Sequence, residues 1–425
     1  MNFLLRLIFI IALITCYKNI PVFEPRGINY IISLLCLGII GYELKKIWHL
    51  IHIETSRKKK IQKIVYYLLI ILILISVILI IHKSNPASNI RFLRGILILL
   101  TIGIGGKLVG ILAKSSLPNL IKNIALIAFS TIGFVAVIEI IFMFISLSHG
   151  SGEAYSGKLW GNRYWNPINK LGLRDEEPKQ GKNTVFFVGD SFTAGWGVKQ
   201  TSKRFGEIAK QTLRKKGKII NEINLGKYGA DTRLEYHIFQ KFIQSTNIKP
   251  DHIVLQFFVN DMDKFIPINE NCKENLTYVP TWKKIITEGS YLANYINSML
   301  PSNESYNVPK ECNYTEKLKF IYTNDSIWVK EEVQLNKFKN YCIKNNLSLT
   351  IVFFPFMEDL TLAKKIGIEN RVITYCKKNK INCLNVTSLI KQLSRKERQV
   401  SITDSHASAE VHRITGEKLA TIINI

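Results

Sequence analysis

The first 147 residues leave this chain few options. Five apolar runs, near residues 3–20, 28–44, 64–82, 95–113 and 123–147, are built from Ile, Leu, Phe and Val with short polar breaks between them. Crossing the hydrocarbon of a bilayer takes about 20 helical residues, and an α-helix satisfies its backbone N–H and C=O groups within the segment, as lipid demands. The block therefore reads as an all-α transmembrane region of about five helices. The first run looks like a secretory leader, and Leu13-Ile-Thr-Cys16 looks like a lipoprotein cleavage box. Thr15 is a poor residue before that cysteine and further spans follow, so an uncleaved helix is expected.

Charge orients such a block. The loop after the second run carries Lys45, Lys46, Arg57, Lys58, Lys59, Lys60 and Lys63, and positive loops stay cytoplasmic. Five spans then put the amino terminus inside and everything after residue 147 outside the cytoplasmic membrane. Lys107 interrupts the fourth run, and without that crossing the remainder would lie in the cytoplasm. Glu139, in the fifth run, could meet Lys107 in a neighbouring helix. The simpler expectation is that Lys107 snorkels and Glu139 faces the bundle interior.

The net charge of +25 invites a nucleic-acid reading. However, 16 of the 57 basic and only 4 of the 32 acidic residues fall in the first 150, mostly in loops between apolar runs. The rest is scattered, and no zinc-finger, homeodomain or RNA-binding signature accompanies it. Nucleic acid is excluded as a partner. The partner expected of this first block is the lipid bilayer.

After a Ser/Gly stretch and an extended lead-in over residues 148–183, a soluble domain is expected over 184–425. It opens on Thr184-Val-Phe-Phe-Val-Gly-Asp-Ser-Phe-Thr-Ala-Gly-Trp-Gly-Val198, a buried strand emptying into a tight turn with a serine at its carboxyl end. A basic amphipathic helix over 202–216, a strand over 219–225, a helix over 231–245 and the strand His252 to Phe258 follow. Residues 264–330 break the rhythm and read as an insertion. A helix near 331–345, the strand Ser348 to Phe354, a helix near 362–379, a short strand from Asn382 to Val386 and a last helix from about 409 complete the pattern. Strands alternating with helices of this length imply an α/β domain, a parallel sheet covered on both faces. An exported domain would permit the disulfides Cys272–Cys312 and Cys376–Cys383, and no Cys-x-x-Cys pair points to zinc.

In open α/β sheets ligands bind at the carboxyl ends of the strands. Three strand ends offer polar groups there: Ser191, Gly229 in Asn224-Leu-Gly-Lys-Tyr-Gly229, and Asn260 in Val259-Asn-Asp261. A fourth piece, Thr403-Asp-Ser-His-Ala-Ser-Ala-Glu-Val-His412, precedes the last helix. A serine hydroxyl is a weak nucleophile and needs an imidazole to take its proton. Asp404 could fix the tautomer of His406, and the N–H groups of Ser191 and Gly229 with the Asn260 amide could hold an oxyanion. His412 is a second candidate base. The Asp404, His406, Glu410, His412 cluster is not read as a metal site, and no cofactor is expected.

Taken in order, these blocks resemble the SGNH hydrolases, the GDSL-type lipase/esterase superfamily. Gly189-Asp190-Ser191-Phe192 matches the nucleophile block, Asn224 with Gly229 the second, Asn260-Asp261 the third, and Asp404 with His406 the acid–base block. Asn169-x-x-Gly172-x-Arg174-Asp175 and Phe257-Phe-Val-Asn-Asp261 look like bacterial members that follow membrane helices. The departures are Phe258 where a glycine is common, a two-residue acid–base spacing, and Ala407 in place of proline. The resemblance covers about residues 165–425. It implies a flavodoxin-like three-layer α/β/α fold with Ser191, Asp404 and His406 catalytic and Ser191, Gly229 and Asn260 as oxyanion donors. The function it implies is a membrane-anchored serine esterase or deacylase that acts through an acyl-enzyme, with an O-acylated carbohydrate or lipid of the cell envelope as the expected substrate and partner. Acyl transfer to polysaccharide and a catalytically silent polysaccharide-binding module are the alternatives.

Overall fold

A computed structural model of the chain describes residues 91–150, 154–265, 281–300 and 314–424, with helical pieces between 64 and 75. The first two apolar runs, Cys272 and Cys312 lie outside the described residues. Two compact units emerge, one of the chain up to Phe144 with Ile285–Asn294, the other of Ile145–Lys284 with Tyr295–Ile425.

In the first unit, helix α1 (Arg91–Ala113) runs unbroken through Lys107, and α2 (Asn119–Phe142) follows. The segments Arg94–Ala113 and Asn119–Phe142, with mean hydropathies of 2.3 and 2.5, are long and apolar enough to cross a membrane. They do not resemble the core helices of a soluble protein, because Leu120, Ile127 and Phe134 are each about two-thirds exposed (70, 65 and 68 %). Glu139 finds its partner in Arg94 (2.8 Å) rather than in Lys107, which is exposed. The Glu139 carboxylate also accepts from Ser290 Oγ (2.7 Å) and the backbone N–H groups of Tyr291 (2.9 Å) and Leu292 (3.0 Å). It thus satisfies the first donors of the helix Tyr291–Met299, which have no acceptor inside that helix.

In the second unit the order is α3 (Tyr155–Tyr164), β1 (Thr184–Gly189), α4 (Ser191–Ala194), α5 (Phe205–Lys215), β2 (Asn221–Gly226), α6 (Thr232–Thr246), β3 (His252–Phe257), and a 3-10 segment over Val259–Phe265. Helices Thr281–Gly289, Tyr291–Met299 and Tyr314–Thr323 follow in the chain, the stretch Ile285–Asn294 among them belonging to the first unit. Then come α7 (Asp325–Asn345), β4 (Ser348–Phe353), α8 (Ile368–Asn379), β5 (Asn382–Asn385), β6 (Gln399–Ser401), β7 (Asp404–Ala407) and α9 (Ala409–Leu419). Helix α3 stands where the sequence suggested extended chain. Its Ser and Gly content reads as loop, but Tyr155, Leu159 and Trp160 fall on one buried side. The helix expected over 362–379 is divided by Gly367, whose φ of +87° ends one piece before α8 begins.

The five strands form one parallel sheet in the order β2-β1-β3-β4-β5, the doubly wound arrangement. Successive side chains of a strand point to opposite faces, and both faces are covered. Phe186 and Val188 pack with Phe239 and Phe242 of α6 and Leu335 and Phe338 of α7. Val185 and Phe187 pack with Phe205 and Ala209 of α5 and Val411 and Leu419 of α9. Each such fully buried aromatic contributes about 1.5–3 kcal/mol. Asp231 starts α6 by accepting from Leu234 N–H, and Asn247 in the left-handed region ends it. This is the α/β/α fold expected of the domain. A separate antiparallel pair, β6 with β7, was not foreseen. Cys342, Cys376 and Cys383 are free thiols, so the 376–383 bridge is not formed.

Candidate active site

Ser191 is the first residue of α4, immediately past β1, and Asp190 caps that short helix by accepting from Phe192 N–H (2.8 Å). The turn is tight enough to need glycine on the neighbouring strand. A Cβ on Gly226 would lie 2.2 Å from Ala194 N, inside the backbone of α4. Gln256 of β3 braces the turn from below, accepting from Asp190 N–H (3.0 Å) and Thr193 Oγ1 (3.0 Å).

Asp404 and His406 sit on β7, which delivers them to the same sheet edge. His406 Nε2 lies 2.8 Å from Ser191 Oγ, and His406 Nδ1 lies 2.6 Å from Asp404 Oδ1. An ionised carboxylate only accepts, so the proton sits on Nδ1 and Nε2 is left to accept from the serine. Asp404 is fully buried, and burial alone would raise its carboxyl. The hydrogen bond and charge of His406, with further bonds from Ser148 and the His406 backbone, outweigh that and hold it below the ordinary carboxylate range. Such an arrangement can turn a hydroxyl into a nucleophile and stabilise the imidazolium that forms.

Asn260 joins the site by donating its amide to Asp190 Oδ2 (2.9 Å). Gly229 lies in the turn after β2, with a φ of +69° that suits glycine, and that turn is tied to β1 by Lys227 N–H on Gly189 O (3.0 Å). Among the described residues the Gly229 N–H has no acceptor. The structure thus joins Ser191, His406 and Asp404 directly and places Asn260 and Gly229 on the two flanking turns. His412 is not part of the site. It is fully buried, accepts from Phe205 N–H through Nδ1 (3.2 Å) and stacks on the Phe205 ring. Burial, with the charges of Arg204 and Arg174, pushes its imidazole down to about 3. Among the described residues no group of His, Cys, Asp and Glu could hold a metal ion.

The departures from the family pattern are accommodated. Phe258 packs on Phe192 with ring centroids 4.6 Å apart, and Ala407 is fully buried in the core cluster under α9. Three arrangements were not foreseen, although Arg174 stands in the Asn169-to-Asp175 motif already noted. An aromatic wall of Trp196, Tyr228 and Trp165 stands beside His406, with Trp196 5.1 Å from Trp165, 4.8 Å from Tyr228 and 6.3 Å from His406. Arg174 is buried behind the nucleophile's turn, donating to Gly195 O (2.5 Å) and Val198 O (2.7 Å). Ser148 donates to Asp404 Oδ2. Trp196 carried a signal as a large apolar residue between two glycines and Arg174 as part of the Asn169-to-Asp175 motif, whereas Ser148 carried none.

The model of the GDSL-like Lipase/Acylhydrolase family matches residues 185–418. Among solved structures, the acetylxylan esterase Axe2 of Geobacillus stearothermophilus is 12 % identical, with a TM-score of 0.34 over 58 % of this chain and 96 % of its own. The lipase/acylhydrolase of Enterococcus faecalis is 15 % identical, with a TM-score of 0.32 over 57 % and 95 %. The psychrotrophic esterase EstA of Pseudoalteromonas sp. is 11 % identical, with a TM-score of 0.32 over 57 % and 97 %. Likenesses of this size say nothing about substrate. No curated protein matches the chain. The family model spans more than half of the residues and begins one residue into β1, the strand that leads into Ser191. The chain therefore belongs to the GDSL-like lipase/acylhydrolase family and is a serine hydrolase.

Proposed function

We propose that the protein is a membrane-anchored serine esterase that removes the acyl group of an O-acylated carbohydrate or lipid outside the cytoplasmic membrane. The observation that carries this reading is the unbroken relay from Ser191 Oγ to His406 (2.8 Å) and from His406 to Asp404 (2.6 Å). His406 Nε2 takes the serine proton as Oγ attacks the ester carbonyl. Asp404 keeps the imidazolium in place. The Ser191 N–H, the Gly229 N–H and the Asn260 amide stabilise the tetrahedral oxyanion, a contribution worth about 3–4 kcal/mol per donor in well-studied serine hydrolases. His406 then protonates the leaving alkoxide, and water, deprotonated by the same nitrogen, releases the acid.

The aromatic wall favours a ring-shaped alcohol, since the apolar face of a sugar can lie on Trp196 or on Tyr228, which is 40 % exposed. The two apolar helices support a membrane anchor, and the basic loop before the third run supports an outward-facing domain. The intact relay speaks against a silent binding module.

A fluorophosphonate probe should label the full chain and fail on Ser191→Ala, whereas equal labelling of both would end the proposal. An acetylated sugar should yield free acetate, and acetyl appearing on an added acceptor alcohol would convert the reading to acyl transfer. For the location, a carboxyl-terminal alkaline phosphatase fusion should be active. A fusion active only as a cytoplasmic fluorescent reporter would place the domain on the other side.

A further inference from the structure

Ser148 carries no sequence signal, yet it is 4 % exposed and its hydroxyl donates to Oδ2 of Asp404, the oxygen that His406 leaves unused. The other oxygen, Oδ1, takes both the Nδ1–H of His406 and its backbone N–H (3.1 Å). Among the described residues Ser148 is the only donor to Oδ2. A carboxylate held on one oxygen alone can swing about its Cβ–Cγ bond. A donor on each oxygen fixes its plane.

The residues around Ser148 are built for this. Thr403 Oγ1 donates to Ser148 O (3.3 Å), and Gly150 N–H donates to Thr403 O (3.0 Å), so the strap grips the residue before the acid from both sides. His149 O accepts from Trp196 Nε1 (3.1 Å), and Gly150 O accepts from Tyr228 Oη (3.0 Å). Three consecutive residues therefore bind the acid's hairpin, the segment after the nucleophile, and the turn that carries Gly229. Residues 143–147 alone separate them from the end of α2 at Phe142. The segment leaving the apolar helices is a component of the site, where composition suggested a flexible connection.

We infer that Ser148 is a positioning residue of the hydrolytic reaction, fixing the carboxylate plane of Asp404 so that Oδ1 stays on His406 Nδ1. The inference rests on the Ser191–His406–Asp404 reading. The Ser148 hydroxyl also adds to the bonds that keep the Asp404 carboxyl ionised against its burial.

The test is a double-mutant cycle on the full-length protein in detergent, following hydrolysis of p-nitrophenyl acetate. Ser148→Ala should lower kcat about tenfold, the scale of losing one orienting hydrogen bond to a charged group, with KM within about twofold. In an Asp404→Asn background the same substitution should cost less than about twofold, because the carboxylate it orients is gone. A wild-type kcat in Ser148→Ala, or an equal loss in both backgrounds, would make the contact one of folding only and overturn the inference. If Ser191→Ala and Asp404→Asn themselves keep wild-type turnover, the relay reading fails first. If they lose activity and Ser148→Ala does not, only the role of Ser148 falls.

Discussion

Replacing Arg174 with methionine should loosen the segment that follows the nucleophile. The guanidinium is 1 % exposed and donates to the carbonyls of Gly195 (2.5 Å), Val198 (2.7 Å) and Tyr164 (2.8 Å). Burial, with Arg204 nearby, lowers its pKa to about 10. It therefore stays charged at neutral pH and keeps its donors. Tyr164 O is only partly buried and water can replace the lost donor there. The Gly195 and Val198 bonds are buried, and each acceptor left alone costs about 1–3 kcal/mol. Methionine fills much of the stem's volume and relieves the desolvated charge, which offsets part of the loss. A net of about 2–3 kcal/mol remains, a large share of the 5–15 kcal/mol that holds a typical domain. For a unit of this size that lowers the thermal midpoint by roughly 5–10 °C. Trp160 and Trp165 lie against the guanidinium, 5.8 and 4.9 Å from ring centroid to Cζ, so tryptophan fluorescence of the full chain reports the transition locally. Arg174→Lys keeps the charge without the planar fork and should recover less than half of the loss. A midpoint within about 1 °C of wild type for the methionine variant, with fluorophosphonate labelling unchanged, would refute the argument that these carbonyls need that donor.

Two further predictions concern pH. His412 is held to about 3 by burial and neighbouring arginines, against about 6.5 in an unfolded chain, so its contribution is present above about 6.5 and is lost as pH falls toward 3. His412→Asn, which keeps an acceptor for Phe205 N–H, should flatten the decline in guanidinium unfolding midpoints between pH 7 and 4, and an unchanged slope would contradict this. Glu331 has the opposite sign: burial, partly countered by Lys264, pushes its carboxyl up to about 7, so its contribution is lost as pH rises from about 4.5 through 7. Glu331→Gln should gain stability relative to wild type at pH 8 and not at pH 4, and a gain of equal size at both would contradict the assignment.

The sheet was legible because its strands are short apolar runs rich in β-branched and aromatic residues, bounded by turn residues. The β1 and β3 readings fell within a residue of Thr184–Gly189 and His252–Phe257. The polar groups at the strand ends were legible through turn chemistry and their order. The β6–β7 pair was not, because strands of three and four residues bearing Asp404, Ser405 and His406 have no apolar alternation to betray them. Helix α3 was hidden by its glycines, whose low propensity is overridden once Trp160 is buried. The Arg94–Glu139 pair was out of reach for another reason. The charge pattern offered Lys107, and only the packing of α1 against α2 decides which cation arrives. Ser148 illustrates the hardest case, a common residue whose importance lies wholly in a partner 256 positions away.

Glu139 also decides how this protein can be taken apart. The chain leaves the catalytic unit after Lys284, contributes Ile285–Asn294 to the apolar unit, and returns at Tyr295. The two units are therefore interleaved rather than strung in tandem. A shortened protein beginning at Ile145 would retain the whole sheet and the relay, but Ser290, Tyr291 and Leu292 would lose the carboxylate that satisfies them. Transplanting the hydrolase onto a foreign anchor would carry the same defect. The hydrolase is thus best engineered together with its own apolar unit.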